Sequence, residues 1–154
     1  MEKILIKDDD ENYINVDYLL YFTDFKYSRL FAQIVFTTIK EPYSTKGFAN
    51  MKTFECYYEC CIWIDNFLSI MPNFHNNQGT YENNDLSFFD VSDIPFKKND
   101  KEDFQTLSHI NIKFINEEFS HLELILIDSN QPLQKKFTSE QHAREWIESN
   151  FKIL

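Results

Sequence analysis

Residues 107–126 read LSHINIKFINEEFSHLELIL, and the alternation within this stretch decides the fold class. Apolar and polar residues alternate from Ile110 to Phe114 and again from Leu122 to Leu126, which is typical of strands with one buried face. Two such strands joined by a short loop predict an antiparallel hairpin whose apolar rows share one face. The expected register places Lys113 opposite Glu123, a favourable cross-strand pair.

Patterns on either side of this hairpin predict further strands and loops. The composition of three other stretches favours strands: Ile4–Lys7, Leu30–Ile39 and Gln134–Phe137. A shorter stretch, 86–91, is a further candidate strand. The segment from Tyr13 to Phe25 fits a helix or a strand equally well. Polar, turn-forming residues predict loops at 8–12, 41–47, 73–84 and 95–103.

Two amphipathic helices are expected. The longer helix spans Lys52–Met71 and is stopped by Pro72. Its expected buried face contains Phe54, Tyr57, Tyr58, Cys61, Ile64, Leu68 and Met71. Near the carboxyl end of the chain, Thr138 and Gln141 have the spacing of a capping box. The helix after this cap is expected to bury Ala143, Trp146, Ile147, Asn150 and Phe151.

These elements predict an α+β fold, an antiparallel β-sheet with helices packed mainly on one face. The chain has 154 residues, which is an ordinary length for one domain. Its hydrophobic content of 43% excludes general disorder. Since we find no repeat and no linker, we expect a single domain over residues 1–154.

Two stretches of the chain concentrate negative charge. The first, 8–24, and the second, 53–96, together hold thirteen carboxylates without one lysine or arginine, although the net charge of the whole chain is only −10. Like charges without partners repel one another, so this segregation indicates a surface that awaits a basic partner. Exposed aromatic residues beside carboxylates would suit rapid electrostatic association.

Composition also argues against several classes of function. The two glycines, Gly47 and Gly79, are too few and too far apart for a phosphate-binding loop, so no cofactor is expected. Net negative charge disfavours direct contact with nucleic acid and docking on anionic lipid. The amino-terminal apolar stretch is too short for a secretory signal, and three clustered cysteines are not a disulfide framework. A cytoplasmic location is the simplest expectation.

The cysteines are candidate metal ligands and candidate nucleophiles. Cys56 and Cys60 lie four residues apart on the expected helix, but a zinc site would need further ligands from distant histidines. Cys60 and Cys61 lie among carboxylates, which should raise the pKa of a thiol and disfavour a nucleophilic role. Burial as small apolar residues is therefore the preferred interpretation, and no metal site is expected.

Two other groups of residues are candidates for acid–base chemistry and for calcium binding. His109 and His121 are expected on the outer face of the hairpin, where they could serve acid–base chemistry near Glu123, whereas His142 should be solvated. The Asp8–Asn12 segment has alternating oxygen ligands, but it lacks the glycine and the later glutamate of a calcium-binding loop. Neither pattern assigns a catalytic residue, so the chain is not expected to be an enzyme.

The function that best fits this sequence is an immunity protein or antitoxin that neutralises a basic bacterial toxin domain, most plausibly a nuclease. A nuclease must present basic residues to phosphates, and an acidic inhibitor can complement them. The alternatives are a nucleic-acid-mimicking inhibitor of a restriction or CRISPR enzyme, a small enzyme with an unrecognised site, and a structural subunit of a larger complex, which would have an exposed apolar patch. The expected partner-binding residues are Glu55, Glu59, Asp65, Glu82, Asp85, Asp90 and Asp93, followed by Asp8, Asp9, Asp10 and Glu11.

Overall fold

The computed structural model describes residues 3–38, 50–77, 79–83, 107–116, 119–126 and 133–154. These residues fall into two compact units. We call 3–17 together with the described residues from 107 to 154 the terminal unit, and the described residues from 18 to 83 the central unit. Each unit contains one sheet and one helix, so the predicted α+β class is confirmed, with two sheets in place of the expected one. The prediction of a single domain remains a prediction.

The terminal unit is built on a six-stranded sheet with the order β10-β9-β8-β2-β1-β11. Neighbouring strands are antiparallel except β1 and β11, which are parallel. Its strands are β1 (Lys3–Lys7), β2 (Tyr13–Asn15), β8 (Leu107–Asn116), β9 (Phe119–Leu126), β10 (Leu133–Phe137) and β11 (Phe151–Ile153). The strands predicted near residues 4–7, 110–114, 122–126 and 134–137 are all present, and the turn expected after β1 is present too.

The central hairpin of this sheet confirms the predicted parity but not the predicted register. Ile110 pairs with Leu124, so the two apolar rows do share one face. Glu123, however, lies opposite Asn111, whereas Lys113 lies opposite His121. The prediction of a Lys113–Glu123 pair is therefore wrong by two residues along the ladder, because alternation fixes which face a side chain takes but leaves even-numbered shifts open.

Helix α2 (Glu140–Asn150) packs against the strands of the terminal sheet and completes its core. The core residues of this unit are Leu5, Tyr13, Ile110, Leu122, Leu124, Ala143, Ile147 and Phe151. Ala143 and Ile147 form the buried stripe of α2, as expected, whereas Asn150 is exposed. Phe151 is buried but belongs to β11, which pairs with the first strand of the chain.

The residue that caps α2 is Ser139, one position later than predicted. Its hydroxyl oxygen accepts a hydrogen bond from the backbone N–H of His142 at 3.2 Å. Thr138 instead bonds the Nδ1 atom of the exposed His142 side chain at 2.6 Å. Because Thr and Ser stand side by side and both are good caps, the sequence alone does not distinguish them.

The central unit is built on a five-stranded antiparallel sheet with the order β5-β4-β3-β7-β6. Its strands are β3 (Leu19–Ser28), β4 (Phe31–Thr38), β5 (Asn50–Phe54), β6 (Phe74–Asn77) and β7 (Thr80–Asn83). The segment that fitted a helix or a strand equally well is thus resolved as β2, a short 3-10 turn at Val16–Tyr18, and the first part of β3. The predicted loop at 73–84 is wrong, since β6 and β7 pair there as a hairpin. Gly79, with φ of 83°, supplies the left-handed backbone in the connection.

Helix α1 (Tyr57–Ile70) is shorter than the predicted helix, which began at Lys52. The first part of that prediction is wrong because residues from Asn50 to Phe54 form β5 and pair with β4, for example Thr53 with Gln33. The tertiary pairing overrides the helical periodicity that continues upstream into this strand. The helix ends just before Pro72, as expected.

Helix α1 packs on β3, β4 and β5 through an aromatic core. Phe22 of β3 lies at its centre, with ring centroids 5.2 Å from Phe67, 4.6 Å from Tyr81 and 6.0 Å from Phe74. The fully buried helix residues are Cys60, Ile64 and Phe67. The predicted inner face was correct for Ile64, but Tyr58 is 74% exposed and does not belong to it.

Three sequence predictions lie outside the described residues. They are the candidate strand at 86–91 and the loops at 41–47 and 95–103.

Candidate functional site

The exposed side of α1 combines two large apolar side chains with carboxylates. Tyr58 and Ile62 lie one helical turn apart and are 74% and 42% exposed. Glu59 and Asp65 are exposed beside them. At 3.6 residues per turn, these four positions span an arc of about 120° around the helix. We call these four residues and Glu55, which is exposed in the turn before the helix, the acidic α1 face.

The carboxylates of the acidic α1 face have no counter-charge among the residues that the structure describes. Within the described ranges, no ion pair or hydrogen bond joins the side chain of Glu55, Glu59 or Asp65 to another residue. Glu55 and Glu59 also lie near the amino terminus of α1, where the helix dipole favours negative charge. This face is therefore stable as an acidic surface without a basic residue of its own.

Glu55 does not lie on the helix as predicted. The turn at residues 55 and 56 separates β5 from α1, so Glu55 precedes the helix instead of occupying its outer face. The correction keeps Glu55 exposed but moves it to the end of the helix at which its charge interacts favourably with the backbone dipole.

The start of α1 is held by Tyr57. Its hydroxyl group donates a hydrogen bond of 2.8 Å to Oδ2 of Asp24 on β3, and the Nζ atom of Lys26 lies 5.2 Å from the Tyr57 ring centroid. Cys56, the cap residue of α1, makes no side-chain capping bond. The hydrogen bond to Asp24, which favours the protonated phenol, raises the pKa of Tyr57. This contact therefore fixes the end of the helix from which Tyr58 projects.

Of the two cysteines of α1, Cys60 is buried and Cys61 is half-buried. Burial, and then the negative charge of Asp24, raise the pKa of the Cys60 thiol to about 12. A thiol with so high a pKa contains almost no thiolate near neutral pH, which disfavours a nucleophilic role. Cys60 lies in the first turn of α1, not in the middle of the helix as expected, but its pKa is raised all the same. Across the described part of the chain, no group of three or more metal-ligating side chains is brought together.

Glu82, which belongs to the second acidic stretch, is half-buried on β7. It pairs across the strands with Tyr21 on one side and His75 on the other. It therefore lies on the sheet and not on the acidic α1 face. The remaining predicted residues of this stretch, Asp85, Asp90 and Asp93, lie outside the described residues.

The first acidic stretch is used largely for internal contacts. Asp8 is only 6% exposed, and its Oδ1 atom accepts hydrogen bonds from the backbone N–H groups of Asp10 and Asn12 at 3.0 and 2.8 Å. These bonds stabilise the turn that was also considered as a calcium loop. Asp17 forms an ion pair of 2.6 Å with Lys3.

Glu11 likewise has internal partners. It binds the guanidinium group of Arg144 on α2, and the same group contacts Glu140 at 2.7 Å. The Nζ atom of Lys7 lies 3.9 Å from Glu11. The expectation that the first acidic stretch lacks counter-charges is therefore wrong for Glu11 and Asp17, because their partners come from outside the stretch. Asp9 and Asp10 are exposed in the same turn.

The sequence predicted the carboxylates of the acidic α1 face but missed its two apolar members. Tyr58 was assigned to the buried side of the helix because it continues the apolar periodicity there. Tyr58 lies three residues after Glu55 and four before Ile62, so a carboxylate and an apolar residue share its side of the helix and no local signal marks that side as exposed. For the histidines proposed in acid–base chemistry, His109 and His121, the structure describes the backbone pairing alone.

No described helix of the structure is long and apolar enough to cross a membrane. Comparison with protein-family models, curated proteins and solved structures finds no match to this chain.

Proposed function

We propose that this protein is an immunity protein or antitoxin that binds and neutralises a basic bacterial toxin domain, most plausibly a nuclease. The proposal takes the chain as one domain over residues 1–154, with each helix packed on a face of its own sheet. It acts in the cytoplasm as a binding protein without enzymatic activity, and it contacts neither nucleic acid nor membrane directly.

The observation that carries the proposal is the acidic α1 face. An exposed tyrosine and an exposed isoleucine on adjacent turns are surrounded by three carboxylates that have no internal partners among the described residues. Exposed aromatic residues are the side chains that most often dominate binding energy at interfaces. Carboxylates at the rim of such an anchor attract a basic partner and accelerate encounter.

The two apolar residues and the carboxylates have separable roles. Tyr58 would enter a pocket of the partner and determine how slowly the complex dissociates, because burying its ring removes apolar surface from water. Glu59 and Asp65 would remain near the rim and determine how fast the complex forms, because their charges act over several ångströms through solvent.

The first acidic stretch contributes less to this proposal than the sequence suggested. Asp8 holds a turn, and Glu11 and Asp17 are already paired with basic residues of the same unit. Breaking such pairs to engage a partner would cost part of the energy that binding gains. Asp9 and Asp10 are the exposed members of the stretch that remain secondary candidates.

The electrostatic part is tested by a double charge reversal and a matched control. The proposal expects a neighbouring reading frame to encode the nuclease toxin domain; that domain serves as the partner, and association is measured by stopped flow. Glu59→Lys with Asp65→Lys is expected to lower the association rate by about tenfold or more at low salt. Glu145→Lys with Glu148→Lys changes two exposed glutamates of α2 and alters the net charge equally.

A difference between these two variants assigns the effect to the acidic α1 face, since both have the same net charge. Equal association rates for the two variants would remove this face from the proposal. The wild-type rate should also fall steeply as salt is added, whereas the rate of the Glu59→Lys, Asp65→Lys variant should depend weakly on salt.

The anchor is tested separately by Tyr58→Ala. Truncation of a buried aromatic anchor should weaken toxin binding by about 2 kcal/mol or more, mainly through faster dissociation. Tyr27→Ala removes a tyrosine that is 57% exposed on the sheet, not on α1, and should leave the affinity unchanged. A Tyr58→Ala variant that binds and protects as well as the wild type would contradict the proposal.

A further inference from the structure

The central sheet has a second face, opposite the one on which α1 packs, and this face is exposed and apolar. Side chains alternate along β3, so Phe22 and Asp24 point to the α1 side while their neighbours point away. The ladder register places the same parity on β4 and β5. We call this the outer sheet face; its positions are Tyr21, Thr23, Phe25, Tyr27, Phe31, Gln33, Val35, Thr37, Met51 and Thr53.

Five large apolar side chains of this face are accessible to solvent. Tyr27 is 57% exposed, and the other four, Tyr21, Phe25, Phe31 and Met51, are each about two-fifths exposed. The Tyr27 ring lies 6.1 Å from that of Phe25 and 5.1 Å from that of Phe31, so these rings form one contiguous cluster. The outward face of an antiparallel sheet is normally polar, and an aromatic face of this kind indicates a binding surface.

The outer sheet face is also electrically neutral. None of its ten positions on β3, β4 and β5 holds a charged residue, although charged residues make up 26% of the chain. The neighbouring strand β7 carries a charged residue, Glu82, which pairs with Tyr21 and lies at the edge of the neutral patch. A strongly basic partner gains nothing electrostatically from this face, in contrast to the acidic α1 face.

We infer that the outer sheet face binds a second copy of this chain. A neutral apolar patch is self-complementary, because a two-fold axis brings the same residues together without juxtaposing like charges. Two such sheets would pack face to face, as the layers of a β-sandwich do. Since α1 lies on the opposite face, both acidic α1 faces would stay free. The inference uses only the outer sheet face, so it does not rest on the proposed function.

The size of the patch sets the expected strength of this dimer. With about 200 Å² for each large side chain, the five exposed residues present roughly 450 Å² per copy. Two copies and the polar residues between the rings would bury about 1,000 to 1,200 Å², which lies at the lower end of specific interfaces. The dimer should therefore be reversible and depend on protein concentration.

Sedimentation equilibrium of the wild-type protein, without any toxin, tests the inference. The apparent mass should rise from 18.6 kDa towards twice that value as the concentration increases through the micromolar range. Added salt should strengthen this association, since it screens the repulsion between two copies of net charge −10 while leaving apolar contacts intact. A wild-type protein that stays monomeric at high micromolar concentration would refute the inference.

Substitutions locate the interface. Phe25→Lys places a positive charge at the centre of the patch in each copy. The two-fold axis would bring these like charges together, so the substitution should abolish the dimer. Tyr58→Lys introduces the same charge on α1, at a residue that is 74% exposed, and should leave the dimer intact. Circular dichroism checks that both variants are folded, and Tyr27→Ser provides a milder second variant that should weaken the dimer. A dimer that tolerates both sheet substitutions would assign dimerisation to a different surface.

Discussion

Tyr57 and Asp24 are joined by a hydrogen bond of 2.8 Å that ties the first residue of α1 to the middle of β3. The two residues are 33 positions apart in the chain, and no residue pattern connects them. Cys56 does not cap the helix with its side chain, so this contact contributes to holding the amino-terminal end of the helix on the sheet. The orientation of the acidic α1 face depends on it.

Removal of the Tyr57 hydroxyl should therefore destabilise the central unit. Tyr57→Phe keeps the ring beneath Lys26 but leaves the half-buried Asp24 without this donor. We expect a loss of about 1 to 2 kcal/mol in the free energy of unfolding, measured with urea. Tyr58→Phe is the matched control, because that ring is 74% exposed, and it should change the stability little. Equal stabilities for the two variants would show that the hydroxyl of Tyr57 does not anchor the helix.

The raised pKa of Cys60 makes stability depend on pH in the alkaline range. Well below pH 9 the thiol is protonated in both the folded and the unfolded chain, so it contributes no pH dependence there. As the pH rises from 9 towards 12, the unfolded chain loses this proton while the folded chain keeps it. Unfolding is then favoured, and stability should fall by up to about 1.4 kcal/mol per pH unit from this group.

Cys60→Ala identifies the part of this slope that belongs to Cys60. The variant should be less stable near neutral pH because the site is fully buried, but its stability should fall less steeply above pH 9, so the difference from the wild type should shrink there. The measurement is the slope of unfolding free energy against pH, obtained by urea titration. Parallel curves for the wild type and the variant would show that Cys60 does not titrate with a raised pKa.

The contacts of Arg144 give Glu11 an internal counter-charge, which makes it a weaker candidate for partner binding. The guanidinium group of Arg144 donates to Glu11, to Glu140 and, at 3.3 Å, to the hydroxyl of Tyr13. A lysine keeps the positive charge but cannot reproduce this forked geometry. We expect Arg144→Lys to cost about 1 kcal/mol in thermal or urea unfolding. Most of this loss should remain at moderate salt, since the geometry of the fork and not the net charge is altered.

Arg29→Lys provides the comparison for Arg144→Lys. Arg29 is exposed at the turn between β3 and β4, so its replacement should change the stability by only a few tenths of a kcal/mol. If Arg144→Lys changed the stability as little as Arg29→Lys, the contacts with Glu11 and Glu140 would be too weak to hold the first acidic stretch. Glu11 would then return to the candidates for binding the toxin.

The parts of the fold that could be predicted from the sequence are those in which apolar and polar residues alternate along the chain. The hairpin of β8 and β9 follows from side chains that change face at every residue, and its parity is correct. The register was wrong because a shift by two residues leaves the same side chains buried. The predicted start of α1 was wrong because β5 pairs with β4. This contact between distant parts of the chain outweighs the helical pattern of 52–56.

Two other features could not be read from the sequence for physical reasons. Strand β11 is only three residues long and pairs in parallel with β1 at the opposite end of the chain, so no local signal marks it. At the candidate site, the carboxylates were predicted because charge is visible in composition. The exposure of Tyr58 was not predicted, because an aromatic residue at helical spacing suits a buried and an exposed position equally well until the packing of β3 against α1 is known.

The sequence predicts Thr138 as the cap of α2, whereas the structure has Ser139 in this role, and substitutions distinguish the two. Ser139→Ala removes the acceptor for the backbone N–H of His142 and should cost about 1 kcal/mol in the free energy of unfolding. Thr138→Ala removes only an exposed side-chain contact with His142 and should cost a few tenths of a kcal/mol. Urea unfolding of both variants distinguishes the two assignments. A larger loss for Thr138→Ala would restore the capping box that the sequence predicted, with Thr138 as the cap and α2 beginning one residue earlier.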